Sequence, residues 1–279
     1  MHAVVTGAAS GIGARVAEAC ARLGARVTGL DRRAPEPGAP LADFVAVDLA
    51  DPESVAAAAA AVPGEIDVLF NVAGVSSGIG DPLAVVTINF LGTRAFTEAL
   101  IPRLNSGGAI VNVSSLAARN YRQNAAVTSG LLDTATVADG IAWCADNPAA
   151  LADGGYRLSK EAVILWGMRL TGPLGARNIR INAVAPGVTD TPILDQLRTA
   201  YGPQFLDSFA APLGRNSEPG EQAAVLLFLG SPAASYLTGQ VIWVDGGILG
   251  DAEARPLRRV RTVVGAARAA IAARNGVEM

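Results

Sequence analysis

The chain has 279 residues, 51% of them hydrophobic, and a formal net charge of −3. That length allows one large α/β domain with a substantial core, and no lysine- or arginine-rich block in the first 250 residues invites nucleic acid. The single histidine, His2, lies at the first strand, which nearly excludes histidine-based acid–base chemistry, a Ser–His–Asp hydrolase and histidine metal sites, so no metal is expected. Cys20 and Cys144 are isolated and lack metal-ligand spacing; Cys20 reads as a small buried hydrophobe. No apolar run approaches the roughly 20 residues that span a bilayer. The first residues run straight into a strand-like segment without the features of a signal peptide. A cytoplasmic protein with no membrane partner is the resulting expectation.

Short β-branched runs alternate with alanine-rich helical stretches. Strands are predicted at 2–6, 26–30, 44–47, 68–71, 109–114, 179–184 and 240–244. Helices are predicted at 11–23, 52–62, 83–104, 131–145, 156–171 and 218–229, and a Pro/Gly-rich loop at 33–40. The strands are apolar on both faces, which predicts an α/β fold: a single-domain, Rossmann-like, doubly wound parallel sheet with helices on both faces.

Between the first strand and first helix lies Thr6-Gly-Ala-Ala-Ser-Gly-Ile-Gly13. Gly7, Gly11 and Gly13 permit close backbone approach, and a helix N-terminus that follows Ser10 and includes Ile12 favours an anion, as in a dinucleotide phosphate cradle. The spacing is Gly-x-x-x-Gly-x-Gly rather than the commonest fingerprint. Asp31 ends the second strand, where a carboxylate binds the adenosine ribose hydroxyls and repels a 2′-phosphate. NAD is therefore expected rather than NADP, although Arg32 and Arg33 follow directly. Asp48 and Leu49 close the third strand; Asp48 faces the adenine or caps the next helix. Asn71, Ala73 and Gly74 end the fourth strand, with small residues suited to lie beside a cofactor.

Tyr156 and Lys160 stand four residues apart, one helical turn, and Lys160 is the only lysine in the chain. A cation beside a phenol favours the phenolate, so Lys160 is expected to lower the Tyr156 pKa and suit it to proton exchange. Ser114 and Ser115 end the fifth strand; Ser115 is read as the donor to a substrate oxygen and Ser114 as packing on the other side.

These residues resemble the short-chain dehydrogenase/reductase family. The motifs are Thr6-Gly-x-x-x-Gly-x-Gly13, Asn71-x-Ala-Gly74, Asn89, Ser115, Tyr156-x-x-x-Lys160 and Asn182-x-Val-x-Pro-Gly187, in the family's order, within roughly residues 3–248. The resemblance implies that Tyr156 exchanges the proton at the substrate oxygen and Lys160 binds the nicotinamide ribose. It implies that Ser115 orients the carbonyl or alcohol and that Asn89 holds a water relaying protons from Lys160. Val188, Thr189 and Thr191 resemble the loop that fixes the carboxamide and pyrophosphate. Homo-oligomers, dimeric or tetrameric, are also implied.

About forty residues separate Ser115 from Tyr156, far more than most family members have. This insertion, at about 116–155, resembles the bacterial 3α-hydroxysteroid dehydrogenase/carbonyl reductase branch; coniferyl-alcohol dehydrogenases look similar. It walls the pocket, alters a subunit interface, or is a surface elaboration. Ile193, Leu194, Leu197, Tyr201, Phe205 and Phe209 form either a substrate lid or ordinary core. Residues 1–250 thus read as the catalytic domain and 251–279 as a basic extension with Arg255, Arg258, Arg259, Arg261, Arg268 and Arg274. The expected function is NAD-dependent interconversion of a secondary alcohol and a ketone on a hydrophobic, steroid-like ring. An aromatic coniferyl-type alcohol is the alternative. A nucleotide sensor without chemistry would keep the glycine turn but lose the tyrosine or lysine.

Overall fold

The computed structural model describes residues 1–202 and 209–255. Seven strands form one all-parallel sheet: β1 (His2–Thr6), β2 (Arg26–Asp31), β3 (Asp43–Ala46), β4 (Ile66–Asn71), β5 (Leu104–Val113), β6 (Arg180–Pro186) and β7 (Val241–Val244). Their order is β3-β2-β1-β4-β5-β6-β7. The winding reverses between β1 and β4, and a crevice at the carboxyl ends of the strands follows from that reversal. Helices bury both faces, so β1 is buried along its whole length, as its unbroken apolar pattern requires.

On one face, Val16, Ala17 and Cys20 of α1 (Gly11–Arg22) pack with sheet residues such as Val5, Val68 and Val111. On the other face, Val55 and Ala58 of α2 (Pro52–Ala61) join Val4, Leu69 and Ile110. Asp51 caps α2 by accepting from the Glu53 amide at 3.0 Å, and Pro52 sits at the first helical position, where its missing N–H costs nothing.

The helix expected at 83–104 is segmented. It comprises α3 (Pro82–Val86), a π-helical stretch (Thr87–Gly92), α4 (Thr93–Leu100) and a 3₁₀ turn (Ile101–Arg103), and β5 starts at Leu104. Thr93 Oγ1 donates to the Ile88 carbonyl five residues back at 3.1 Å. Gly92 is required there, because a Cβ would lie 1.9 Å from the Leu49 carbonyl oxygen. Such π-turns concentrate at functional sites. Pro82–Arg103 covers 22 residues, and an 18-residue window within it reaches a mean hydropathy of 1.2, so one stretch does reach membrane-spanning length, contrary to expectation; that window is 67% buried inside the fold.

The insertion forms two helices, α5 (Ala125–Leu132) and α6 (Val137–Asp146), where one at 131–145 was expected. Thr136 restarts the helix with a capping box: its hydroxyl accepts from the Asp139 amide at 3.1 Å, and the Asp139 carboxylate accepts from the Thr136 amide at 3.0 Å. The pair covers Val86, Phe90 and Leu91 together with Leu158, Ala162 and Trp166 of α7 (Tyr156–Gly175), a hydrophobic cluster of its own. Then come α8 (Pro192–Tyr201) and α9 (Pro219–Gly230), whose Ala223 and Leu226 join the α1 side. Phe205, Arg258, Arg259, Arg261, Arg268 and Arg274 lie outside the described residues.

Candidate active site

A cavity of about 920 Å³ runs along the carboxyl ends of the strands, from Asp31 past the glycine turn to Ser115 and Tyr156. Thr6 Oγ1 accepts from the amides of Val72 and Ala73 at 3.0 and 3.1 Å, which ties the start of the turn to the end of β4. Gly7 and Gly11 have φ of +71° and +55°, a region that favours glycine. A Cβ at Gly13 would lie 2.2 Å from the Gly7 carbonyl oxygen, so the turn closes only with glycine there. Ser10, the N-cap of α1, makes no side-chain cap, and the first turn holds no acidic residue. The free N–H groups and the positive dipole end of α1 are left for an anion.

At one end, Asp31 accepts from the Ala9 amide and the Arg33 amide, both at 3.1 Å, which holds its carboxylate beside the turn. Asp48 and Leu49 line the cavity nearby. Asp48 does not cap α2, which Asp51 does; its carboxylate accepts from the Ala50 amide at 2.9 Å. Ile12, Ala73, Gly74, Val188, Thr189 and Thr191 also line the cavity, with Thr189 Oγ1 held 2.9 Å from Ser217 Oγ.

Asn71 departs from expectation. Its amide donates to Thr97 Oγ1 at 2.9 Å and Asn112 Oδ1 at 2.8 Å, binding β4 to β5 and α4, and it does not line the cavity. The strand end is where it was expected, but its buried side chain serves the sheet instead.

The fifth strand and α7 bring the reacting groups together. Ser115 Oγ accepts from the Ala117 amide at 3.2 Å, and its hydroxyl bonds the Tyr156 phenol. Ser114 is buried and donates to the Lys160 carbonyl at 2.8 Å, although it too touches the cavity wall. Lys160 Nζ donates to the Val113 carbonyl at 3.0 Å and lies 5.7 Å from the centroid of the Tyr156 ring. Burial pushes the Lys160 pKa down to about 8. The Tyr156 pKa moves opposite to expectation. Burial raises it, and the Ser115 bond only partly opposes that rise. The ammonium faces the ring and the Val113 carbonyl.

Asn89 sits in the π-helical stretch and does not line the cavity. Its Oδ1 accepts from the Val75 amide at 2.8 Å, and its Nδ2 donates to the Val75 carbonyl at 2.9 Å and Ser159 Oγ at 3.2 Å. Gly74 separates it from the lysine: a Cβ there would lie 3.0 Å from Asn89 Oδ1 and 3.3 Å from Lys160 Nζ.

One feature escaped the sequence reading. Glu161, fully buried beside Lys160, accepts from Asn124 Nδ2 at 2.6 Å, Thr128 Oγ1 at 3.3 Å and Arg157 at 3.0 Å. It ties the insertion to the helix bearing Tyr156 and Lys160. Both ends of the insertion, Leu116–Asn120 and Ala152–Gly154, contribute to the cavity wall, whereas its middle covers helices. Nothing in a one-dimensional pattern shows that Glu161 is inside. Ile193, Leu194, Leu197, Tyr201 and Phe209 line the cavity as the lid reading expects.

Comparison with known proteins is consistent with this geometry. Residues 1–129 match the family model described as short chain dehydrogenase, and residues 144–249 one described as enoyl-(acyl carrier protein) reductase. A coniferyl-alcohol dehydrogenase from Pseudomonas sp. is 37% identical, covering 88% of this chain and 95% of that protein. The 3-alpha-hydroxysteroid dehydrogenase/carbonyl reductase of Comamonas testosteroni is 30% identical, covering 91% and 97%. The crystal structure of the 3-alpha-hydroxysteroid dehydrogenase from Pseudomonas sp. B-0831, complexed with NADH, superposes with a TM-score of 0.76 at 34% identity, covering 92% and 99%.

Proposed function

This chain belongs to the short-chain dehydrogenase/reductase family, whose members oxidise CH–OH groups with NAD(P), and on that premise we propose that it is an NAD-dependent dehydrogenase interconverting a secondary alcohol and a ketone on a hydrophobic ring such as a 3-hydroxysteroid. The observation that carries the proposal is the meeting of Ser115, Tyr156 and Lys160 at one end of a cavity whose other end is a glycine cradle with free helix N–H groups.

The residues present fit a dinucleotide. The turn that forms the cradle closes only because Gly7 and Gly13 carry no Cβ, and Gly11 adopts a positive φ beside them. In this reading Ser10 and Ile12 complete the cradle, Asp31 takes the adenosine ribose hydroxyls, and Asp48 and Leu49 flank the adenine. Ala73 and Gly74 form the floor, Lys160 and Tyr156 meet the nicotinamide ribose, and Val188, Thr189 and Thr191 hold the carboxamide side. The Asp31 carboxylate disfavours a 2′-phosphate, which supports NAD over NADP. When bound, the dinucleotide supplies or accepts the hydride.

The rest is proton handling by the chain. Ser115 donates to the substrate oxygen and fixes the carbinol against Tyr156 Oη. Tyr156 takes the hydroxyl proton in oxidation and returns it in reduction. A buried cation at Lys160 favours the transient phenolate, and its proton exchanges through a water held by the remaining lone pair of Asn89 Oδ1. Ile193, Leu194 and Leu197 of α8 supply apolar surface for the ring and exclude water. A homo-oligomer in a reducing cytoplasm completes the proposal; burial raises the thiols of Cys20 and Cys144 to about 11, which suits unreactive structural residues.

The test is a panel of steroid and aromatic secondary and allylic alcohols, assayed with NAD and NADP separately, for the chain and its Tyr156→Phe variant. Turnover with NAD should fall at least about 100-fold in the variant. Undiminished turnover sinks the mechanism. The similarity to a coniferyl-alcohol dehydrogenase favours a second reading, an aromatic allylic alcohol, which the same panel separates.

A further inference from the structure

Among the described residues, the arginines of this chain are almost all engaged. Each has a carboxylate, a carbonyl or an aromatic ring as partner, except Arg22, Arg32, Arg33 and Arg119. Arg22 is on the outside of α1, in its last turn. The other three line the cavity. Arg32 and Arg33 stand next to Asp31, at the adenosine end. Arg119 stands at the other end, four residues after Ser115, where the insertion begins.

A second guanidinium nearby behaves differently. Arg157 also lines the cavity, but Asp153 holds it at 2.5 Å and Glu161 at 3.0 Å, so its charge is balanced by the protein. Arg119 has no such counter-charge, and the carboxamide of its neighbour Asn120, also a lining residue, has no partner among the described residues either. A ligand that covers Arg119 without offering an anion strips water from a cation and gives nothing back. A ligand carrying a carboxylate pairs with the planar fork through two parallel hydrogen bonds. Ile193, Leu194 and Leu197, which line the same cavity, supply apolar surface for the body of such a ligand.

We propose that Arg119, assisted by Asn120, anchors a carboxylate at the end of the substrate remote from the reacting carbon, so that the substrate is a hydroxy or oxo acid with an apolar ring body. This rests on the ring-alcohol reading above. It makes the start of the insertion the part of the chain that distinguishes acidic substrates from neutral ones.

A 3α-hydroxysteroid bearing a side-chain carboxylate, and its methyl ester, test it. The quantity read is the ratio of kcat/KM for acid over ester, in the chain and in Arg119→Met, with NADH affinity checked to show that each is folded. The ratio should favour the acid and fall by about 10- to 100-fold in the variant, the effect of losing hydrogen bonds to a charged group. Arg119→Lys should retain part of the preference. A ratio near one, or equal in both chains, overturns the carboxylate anchor and leaves the ring-alcohol reading standing. If neither compound turns over, calorimetry of each with the NADH-saturated chain decides. Acid binding that weakens in Arg119→Met supports the anchor while removing the steroid alcohol as substrate, and no binding of either overturns both.

Discussion

Replacing Lys160 with Met should raise the thermal stability of the chain while abolishing its turnover. Lys160 is buried, with a pKa pushed down to about 8 from an ordinary 10.5. That gap corresponds to roughly 3 kcal/mol of stability lost whenever the lysine is charged in the folded chain. Methionine keeps the aliphatic stem and removes the charge. Against this gain stands the loss of the bond from Nζ to the Val113 carbonyl, worth about 1 kcal/mol. A net gain of about 2 kcal/mol raises the Tm by roughly 4–8 °C in a domain of this size. The pH dependence is the sharper check. The unfolded lysine stays protonated up to its ordinary pKa, whereas the folded one releases its proton near 8. The cost to the parent chain is thus fully present below that value and fades as the pH rises toward 10.5. Thermal unfolding of both chains without added dinucleotide, at pH of about 6.5 and about 10, measures the difference directly. A variant no more stable than its parent at the lower pH, or an advantage that does not shrink at the higher one, refutes the reasoning.

Glu161→Gln should lower the Tm by about 2–12 °C, because an amide presents a donor to at least one of the three donors that the carboxylate now accepts from, at a cost of roughly 1–3 kcal/mol. Its kcat/KM should fall with it, since the same contacts hold Arg157 beside Tyr156. An unchanged melting curve would show that the network is not stabilising, as some buried charges are not. Sedimentation should show a dimer and not a tetramer, because the insertion already covers the outer surface of α7 and the π-helical stretch. A tetramer rejects that arrangement.

The order of elements was legible because periodicity and punctuation are local. The apolar strands, the alanine-rich helices and the glycine turn each announce themselves within a few residues. The cavity positions at strand ends followed from the parallel topology, and strand alternation is the reason for reading Ser115 rather than Ser114 as the substrate donor. What stayed hidden depends on depth. Asn71 reads as a cofactor ligand until Thr97 and Asn112 are seen to occupy its amide. Asp48 reads equally as an adenine neighbour or a helix cap until Asp51 is seen to take the cap. The direction of the Tyr156 pKa required knowing how deeply the phenol is buried. The π-helical turn has no sequence signature at all; it answers the approach of the Leu49 carbonyl to Gly92.

Glu161 has a consequence for the portability of the insertion. Asn124 and Thr128 belong to the inserted segment, but the carboxylate they bond to belongs to α7, outside it. Removed from this chain, the segment carries two donors without the acceptor they use here; α7 without the segment keeps its carboxylate with Arg157 alone. Neither piece is self-sufficient. The pocket wall and the helix bearing Tyr156 and Lys160 are thus joined through one carboxylate, and the segment moved into another chain without Glu161 loses the acceptor that Asn124 and Thr128 use here.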